Sequence, residues 1–461
     1  MAGIIRYGSY VPYWRLQRSA LGGGKGQRAA ASYDEDSVSM AVEAARDALR
    51  GGPDVQGIVF ATTSPPYAEK LNAATVQAAC GLPESLRSVD LTGSSRLGLT
   101  GLLLAADVGA AGQRTLVCAG DVAVGAPGGS RERDGGDGAA AFVVGADAEA
   151  AARIVGRAST TTELLDVYRV PEDTFVRQWE ERFGAETLGP IFVETAKRAL
   201  AEAGVKPADL SALVLDATNM RAADAVPRAL GLKPEQVVDG LAGSVGRTGA
   251  AHALLLLARV LDQAKPGDRV AVLAGGDGCD VAVLEVTDKI AGARPAHSVD
   301  RWIGSSRNDL AYTTYLKWRG ILPFEPPRRP DPPRPAAPPM RRSEHWKFHF
   351  EGSRCQKCGT GHLPPQRVCV SCGAIDQMAT ERYSDATCKV ATYTLDHLAY
   401  SLQPPVVAAV VDFDQGGRFN CELTDVDPKE VKIGNELEMT FRRLYTSQGV
   451  HNYFWKARPK R

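Results

Sequence analysis

Four cysteines in the last third of the chain have the spacing of metal ligands. Cys355 and Cys358 form one CxxC pair, Cys369 and Cys372 form a second, and ten residues separate the pairs. A tetrahedral zinc ion takes four thiolate ligands, and two short turns of this kind supply them. Because four thiolates close the coordination sphere, the pattern predicts a structural zinc site; the alternative is a ribbon that has lost its metal.

The other five cysteines and the histidines are weaker candidates. Cys118 lies in an apolar, strand-like run and is interpreted as a core residue. Cys279 follows a glycine-rich turn and could face a functional site. His252 lies on an apolar helix, which is more typical of a packed core histidine than of a catalytic base. His362, between the two cysteine pairs, is surplus to the ligand set and is interpreted as a surface residue.

The length and charge of the chain narrow its class. With 461 residues it is long enough for about three domains. It carries 54 basic and 54 acidic side chains, so a global attraction to nucleic acid or to an acidic membrane is not expected. The amino terminus lacks a signal-peptide core, and no apolar run approaches a membrane span of about 18 residues. We expect a cytoplasmic protein with reduced thiols, which favours metal over disulfide for paired cysteines.

Two halves of the chain repeat the same order of predicted elements. Residues 39–64 and 193–219 each read as an amphipathic helix, a polar turn and an apolar strand. Residues 95–121 and 247–278 each read as a small-residue helix followed by a buried strand. The repeat predicts a duplicated α/β domain, and the alternative is two unrelated α/β domains. The two halves are assigned to residues 1–150 and 151–320.

Polar residues at the ends of these elements are the candidates for chemistry in this part. In such folds, functional side chains sit at strand ends and at helix amino termini. Thr63 and Asp216 end predicted strands, and Ser95 and Arg247 begin predicted helices. We therefore expect these four residues to mark any site between the two halves.

The composition changes after residue 320. Residues 323–340 contain nine prolines, which is typical of an extended tether, although the segment could also be a ligand for a proline-binding module. From 386 to 456 five short β-rich runs alternate with turn residues, which predicts a small Greek-key barrel of the OB type. The predicted parts are a linker over 321–342, a zinc ribbon over 343–378 and an OB-fold over 379–461.

The first 320 residues resemble the thiolase superfamily, in particular the archaeal form of 3-hydroxy-3-methylglutaryl-CoA synthase, with ketoacyl synthase III as a more distant relative. The matching stretches are IIRYGSYVPYWRL at 4–16, SPPYAEKLNAATVQAACGL at 64–82, the glycine-rich 120–145 and SVGRTGAAHALLLLARVLDQAKPGDRVAVLAGGDG at 244–278. Residues 345–456 resemble the zinc-ribbon and OB-fold module formerly called DUF35. Together, the resemblances imply a five-layered thiolase-like fold, acyl-CoA thioesters as substrates in lipid metabolism, and a homodimer or hetero-oligomer.

The chain departs from that family at the catalytic positions. Ser95 stands where the family has its nucleophilic cysteine, and Thr63 stands where the synthase has its acidic base. Asp216 replaces the family's histidine, and Arg247 replaces its asparagine. A serine hydroxyl is hardly ionised at neutral pH and needs a strong neighbouring base. Asp216 could be that base if burial raised its pKa, or it could simply pair with Arg247.

Two classes of function follow from these observations. In the first, the chain is a subunit with degenerate catalytic residues that docks a thiolase-like partner and holds acyl-CoA on its OB domain. In the second, it is a divergent acyltransferase or C–C lyase that uses Ser95, Asp216 and Arg247 on CoA thioesters. The simultaneous exchange of four groups favours the first, and a carrier of acyl chains without a partner is a third, weaker hypothesis.

Overall fold

The structure of the protein is a computed structural model that describes residues 2–325, 328, 330 and 332–461. The extended tether predicted over 323–340 falls partly outside these residues; its last part forms a short helix, Ala337–Arg342. The chain divides into two compact units. The first unit comprises 2–31, 36–74 and 85–312, and the second comprises 32–35, 75–84 and the described residues from 313 to 461. No helix among the described residues is long and apolar enough to cross a membrane.

A nine-stranded sheet forms the framework of the first unit. The two halves of the sequence meet where Gly3 and Ile4 pair antiparallel with Arg153 and Ala152. On each side of this pair the strands follow the same order and the same pattern of parallel and antiparallel neighbours, except that the first half adds the edge strand Arg87–Thr92. The strands, in spatial order, are Ala212–Ala217, Arg269–Gly275, Gly278–Val286, Ala152–Thr161, Ala2–Tyr10, Gly138–Ala146, Thr115–Asp121, Gly57–Thr62 and Arg87–Thr92.

The helices of this unit repeat as the strands do, which confirms the predicted duplicated α/β fold. Ser37–Ala48 and Glu181–Ala203 precede equivalent strands, and Leu97–Gly109 and His252–Gln263 precede the next pair. Their apolar faces are buried because the strands they cover are apolar on both sides; every residue of Thr115–Asp121 is buried. The shorter helices of this unit are Ser130–Asp134, Met220–Ala223, Ala225–Leu230, Ile290–Ala293 and Val299–Gly304, whereas most residues of Ala73–Ala79 and Tyr312–Trp318 belong to the second unit.

One glycine sets how closely two helices of the first unit can approach. Gly98 lies in the first turn of Leu97–Gly109, and a Cβ there would come within 2.0 Å of the carbonyl oxygen of Ala250. Only glycine fits this approach, which brings the helix after Ser95 against the 3₁₀ turn Gly249–Ala251 that begins the equivalent helix.

The second unit contains a closed five-stranded barrel, which confirms the predicted OB-fold. Val406–Phe413 shows the pattern clearly, since its buried and half-buried residues alternate as the strand turns one face to the interior. A three-stranded sheet carries the cysteine pairs. The barrel strands, in spatial order, are Thr387–Asp396, Val406–Phe413, Arg418–Leu423, Val450–Pro459 and Glu436–Ser447; the small sheet contains Gly361–His362, Glu351–Cys355 and Met378–Arg382.

Buried charges connect residues 32–35 of the second unit to its barrel. Arg442 is fully buried and forms ion pairs with Glu35 at 2.7 Å and with Asp425 at 2.6 Å. The ammonium of Lys456 lies 3.0 Å from the carboxylate of Asp34. Burial by itself raises the pKa of Asp34, but the positive charges of Lys456 and Arg442 outweigh it and hold that pKa below its usual range. The ionised form of Asp34 therefore stabilises the folded unit.

We expect Asp34→Asn to destabilise the protein most at neutral pH. A carboxyl whose pKa is lowered by folding contributes stability above its unfolded pKa of about 4, and the contribution is lost as pH falls. The difference in unfolding free energy between wild type and D34N should therefore shrink by up to about 1.4 kcal/mol per pH unit below pH 4. Denaturant titrations from pH 7 to pH 3 measure it, with Asp414→Asn as an exposed control. A difference that is constant with pH would contradict the assignment.

Candidate functional site

Two of the predicted site residues meet in the first unit. Asp216 lies on the strand Ala212–Ala217, and Arg247 lies in the loop before the helix His252–Gln263. A guanidinium nitrogen of Arg247 donates to Oδ1 of Asp216 at 3.2 Å. The side chain of Asp216 is only 4% exposed and that of Arg247 is 30% exposed. The carboxylate is thus neutralised by a cation that never loses its proton.

The hydroxyl of Ser95 has no base beside it. Ser95 lies between the strand Arg87–Thr92 and the helix Leu97–Gly109, and its Oγ is buried without a hydrogen-bond partner among the described residues. Its environment includes the backbone of Gly276, where a Cβ would lie 3.7 Å from this Oγ. A serine nucleophile requires a general base within hydrogen-bond distance, and none of the described residues places one beside this hydroxyl.

Thr63 is held by a buried carboxylate that the sequence did not single out. The hydroxyl of Thr63 donates to Oδ2 of Asp121 at 2.9 Å, and its backbone N–H donates to Oδ1 at 2.8 Å. The hydroxyls of Thr62 and Ser64 and the backbone N–H of Ala250 also donate to Asp121. Asp121 therefore fixes residues 62–64 at the end of the strand Gly57–Thr62, where the resemblance predicts the acidic base of the synthase. In the sequence, the role of Asp121 was indicated only by the Gly-Asp turn at 120–121.

Further buried polar groups surround the Asp216–Arg247 pair. His252 is buried, its Nδ1 lies 3.5 Å from the hydroxyl of Thr248, and burial lowers its pKa, so the imidazole is neutral near pH 7. Burial also lowers the pKa of the Arg131 guanidinium, and the positive charge of Arg247 lowers it further. Sequence patterns alone gave no reason to place Arg131 here, because it lies in a separate short helix, Ser130–Asp134.

The secondary cysteine candidates are buried thiols. Cys118 lies within the strand Thr115–Asp121 and is fully buried. Cys279 packs in the hydrophobic core of the second half. Burial raises the pKa of the Cys279 thiol to about 11, although a hydrogen bond with Thr195 opposes this. Such a thiol is protonated at neutral pH and does not replace the missing nucleophile.

The four cysteines of the second unit come together as a ligand set. One ligand atom from each of Cys355, Cys358, Cys369 and Cys372 lies within 4.8 Å of all the others. The sulfur atoms of Cys355 and Cys372 are 3.6 Å apart, and those of Cys358 and Cys369 are 3.5 Å apart. Sulfur ligands at about 2.3 Å from a tetrahedral ion lie about 3.7 Å from one another. The arrangement can therefore hold a metal without rearrangement.

Glycines shape both turns of this cluster. Gly359 and Gly373 follow the second cysteine of each pair and have φ values of 76° and 70°. Their N–H groups close the turns by donating to the carbonyl oxygens of Cys355 and Cys369 at 2.8 and 3.0 Å. His362 is buried instead of lying on the surface as expected; its Nε2 accepts from the N–H of Val370 at 3.3 Å. It supports the second turn and does not join the ligand set.

Comparison with solved structures places the first unit in a known class. The 3-oxoacyl-(acyl carrier protein) synthase III of Pseudomonas aeruginosa PAO1 is 26% identical, with a TM-score of 0.55, over 62% of this chain and 98% of that one. PksG, an HMG-CoA synthase from Bacillus subtilis, has a TM-score of 0.59 at 16% identity over 69% of this chain and 89% of that one. An HMG-CoA synthase complexed with CoA gives 0.56 at 16% identity, over 68% and 89%. The first unit thus has the thiolase-like α/β fold.

Sequence comparison gives the family. The hydroxymethylglutaryl-CoA synthase of Aeropyrum pernix is 33% identical over 343 residues, which cover 70% of this chain and 95% of that protein. That of Pyrococcus furiosus is 30% identical over 335 residues, covering 69% and 95%. Residues 200–286 match the carboxyl-terminal model of 3-oxoacyl-[acyl-carrier-protein] synthase III, and residues 381–442 match the carboxyl-terminal OB-fold domain of ChsH2. The chain belongs to the hydroxymethylglutaryl-CoA synthase family and carries an additional OB-fold domain.

We expect the Asp216–Arg247 pair to stabilise the first unit measurably. Asp216→Ala leaves a largely buried guanidinium without its counter-charge, which should cost about 1–3 kcal/mol. The double variant D216A/R247A should lose less than the sum of the single variants, with a coupling of about 1 kcal/mol or more. Denaturant unfolding of the four proteins measures this coupling.

The matched control for this cycle is the exposed pair between Asp412 and Arg418, whose side chains are 47% and 66% exposed. Its coupling should stay below about 0.5 kcal/mol because solvent screens both charges. Additive effects at Asp216 and Arg247 would show that their charges are not paired in solution.

Proposed function

We propose that this chain is a non-catalytic subunit of the hydroxymethylglutaryl-CoA synthase family that acts with a separate thiolase-like protein on acyl-CoA thioesters. The observation that carries the proposal is the ion pair between Asp216 and Arg247, together with a Ser95 hydroxyl that has no base. Both groups that replace the family's histidine and asparagine are engaged with each other. In this proposal Asp216 and Arg247 compensate each other's charge and take no part in a reaction.

The chemistry of the family explains why these exchanges act together. Acyl transfer needs an activated nucleophile, donors for the thioester oxygen and an acid or base for the condensing carbon. Asp216 supplies an acceptor where a donor is needed, and the hydroxyl of Thr63 donates a hydrogen bond to Asp121. Arg247 retains N–H groups but directs one of them to Asp216. Under this proposal, none of the exchanged groups performs the role of the family residue that it replaces.

A divergent enzyme is the second candidate. The observation that favours it is a set of buried polar atoms without partners among the described residues, namely Oγ of Ser95, Oδ1 of Asp166 and Nε of Arg131 and Arg247. A bound substrate could satisfy such atoms. In that case Ser95, Asp216 and Arg247 would form an acyltransferase or C–C lyase site on CoA thioesters.

The proposed role of the second unit is to bind acyl-CoA for the reaction with this partner. In this proposal its OB barrel binds the CoA thioester, and CoA binding by a related synthase is consistent with retention of the same ligand class by the first unit. The four cysteines would hold zinc, whose role is to fix the small sheet, since four thiolates leave no position for a substrate. We further propose a cytoplasmic protein that pairs through its α/β domains, as homodimer or hetero-oligomer.

The second cysteine turn offers a surface for the partner. Val368, Val370 and Ile375 are 50%, 80% and 64% exposed on and beside this turn. Val368 and Ile375 pair through an isolated β-bridge, which places two of these aliphatic side chains on neighbouring backbone. Grouped exposed aliphatic side chains on a rigid turn are typical of protein contacts. We assign them to the thiolase-like partner.

Labelling with radioactive acetyl-CoA tests catalysis directly. The purified chain, incubated and then denatured, should retain no ester-linked label, because Ser95 lacks a base to ionise its hydroxyl. A hydroxymethylglutaryl-CoA synthase with its cysteine nucleophile serves as the positive control. Label that maps to Ser95, is lost in Ser95→Ala and persists in Ser94→Ala would establish the second candidate and refute the first.

Substitution in the aliphatic group tests the partner. Val370→Asp places a charge in the proposed contact and should weaken binding of a purified thiolase-like chain from the same cell by at least tenfold. Ile433→Asp is the matched control, since Ile433 is 69% exposed elsewhere in the second unit and should leave binding unchanged. Surface-immobilised binding assays measure both. Equal affinities for wild type and V370D would exclude this surface.

A further inference from the structure

A second group of metal-ligating side chains lies in the second unit, outside the cysteine cluster. His345, His349 and Glu351 each offer a ligand atom, and the three atoms lie within 4.8 Å of one another. The two Nδ1 atoms are 3.5 Å apart, and Nδ1 of His349 is 3.0 Å from Oε1 of Glu351. Nitrogen and oxygen ligands at about 2.0–2.2 Å from one ion lie roughly 3–3.5 Å from each other. The spacing of the three atoms is therefore that of a shared coordination sphere.

We propose that His345, His349 and Glu351 form a second metal site that binds a divalent first-row transition ion such as zinc or cobalt. Two imidazoles and one carboxylate suit these ions better than calcium or magnesium, which prefer oxygen ligands alone. Three protein ligands leave at least one coordination position for water or an external ligand. This site thus differs from the cysteine cluster, whose four thiolates close the coordination sphere.

The local backbone brings the three side chains together. His345 and His349 are the first and last residues of a single π-helical turn, which places both imidazoles on one side. Phe350 ends the turn in the left-handed region, with a φ of 55°. Glu351 then begins the strand Glu351–Cys355 and returns its carboxylate to His349. A non-glycine residue adopts this conformation only when its surroundings enforce it.

Aromatic packing enforces it here. Phe350 is fully buried, with ring centroids 5.2 Å from Phe419, 5.4 Å from Trp346 and 5.7 Å from Trp455. The indole N–H of Trp455 donates to the carbonyl oxygen of Phe348 at 3.0 Å, which attaches the π-turn to the barrel. The ligands are therefore held on a rigid scaffold before an ion binds, and such pre-organisation favours binding.

Access and charge are also compatible with an ion. The His345 side chain is 71% exposed, so an ion can enter from solvent, while those of His349 and Glu351 are 14% and 25% exposed. Arg382 lies opposite Glu351 in the small sheet, and its guanidinium donates to the carbonyl oxygen of Cys80 at 2.9 Å and to Oγ of Ser384 at 2.5 Å. Its positive charge opposes a cation, and the Glu351 carboxylate offsets it.

The alternative is a metal-free cluster in which His349 donates to Glu351 and His345 only packs against it. Cobalt distinguishes the two, because thiolate and imidazole sites give different spectra. Full-length protein is first loaded with a single molar equivalent of zinc, which the four thiolates bind, and is then titrated with Co²⁺ and followed by visible absorption and calorimetry. We expect one further saturable equivalent of cobalt, with weak d–d bands and without sulfur-to-cobalt charge transfer.

Variants identify the ligands. His349→Ala and Glu351→Gln should each weaken Co²⁺ binding at least tenfold, and H345A/H349A should abolish it. His397→Ala, which removes an exposed histidine elsewhere in the unit, should leave it unchanged. Zinc retained at the cysteines verifies that each variant is folded. If a histidine variant fails to fold, Glu351→Gln still tests the ligand set. The proposal would be overturned if the wild-type protein bound no saturable equivalent of cobalt, or if E351Q bound cobalt with wild-type affinity. Neither outcome depends on whether the first unit is catalytic.

Discussion

The charge pair between Asp216 and Arg247 is the interaction on which the character of the first unit depends. A carboxylate that is 4% exposed at a strand end is costly unless a cation or several donors compensate it. Arg247, in the loop before the helix His252–Gln263, provides that cation, and its guanidinium nitrogen lies 3.2 Å from Oδ1 of Asp216. The pair thereby joins the strand Ala212–Ala217 to the loop before the helix His252–Gln263, and both side chains stabilise the fold through it.

Much of the framework could be predicted from sequence because it rests on periodic burial. The repeated helix and strand patterns predicted the duplicated sheet. Five β-rich runs separated by turn residues predicted the barrel. The cysteine pairs were predictable because two CxxC turns determine their own local geometry, as Gly359 and Gly373 show. In each of these cases the signal lies in short segments of the sequence, read singly or, for the duplication, compared with each other.

The remaining features depend on contacts that sequence separation conceals. Asp34 and Arg442 are 408 positions apart, and neither lies in a pattern that indicates a buried ion pair. Asp121 accepts hydrogen bonds from the end of a neighbouring strand, so its role emerges only once the strands are aligned. For His345, His349 and Glu351 the spacing was visible, but an ordinary helix would not return Glu351 to His349. The π-turn and the left-handed Phe350 do so, and both follow from the aromatic core.

The exchanges in the first unit are best understood as one coupled change. An aspartate alone at position 216 would leave a buried carboxylate without its cationic partner. An arginine alone at position 247 would place an uncompensated cation near Arg131, whose pKa is lowered by burial and by the charge of Arg247. Together the two residues cancel each other's charge, so each is tolerable only with the other. Because the two charges compensate each other, the fold can bury both residues at this point.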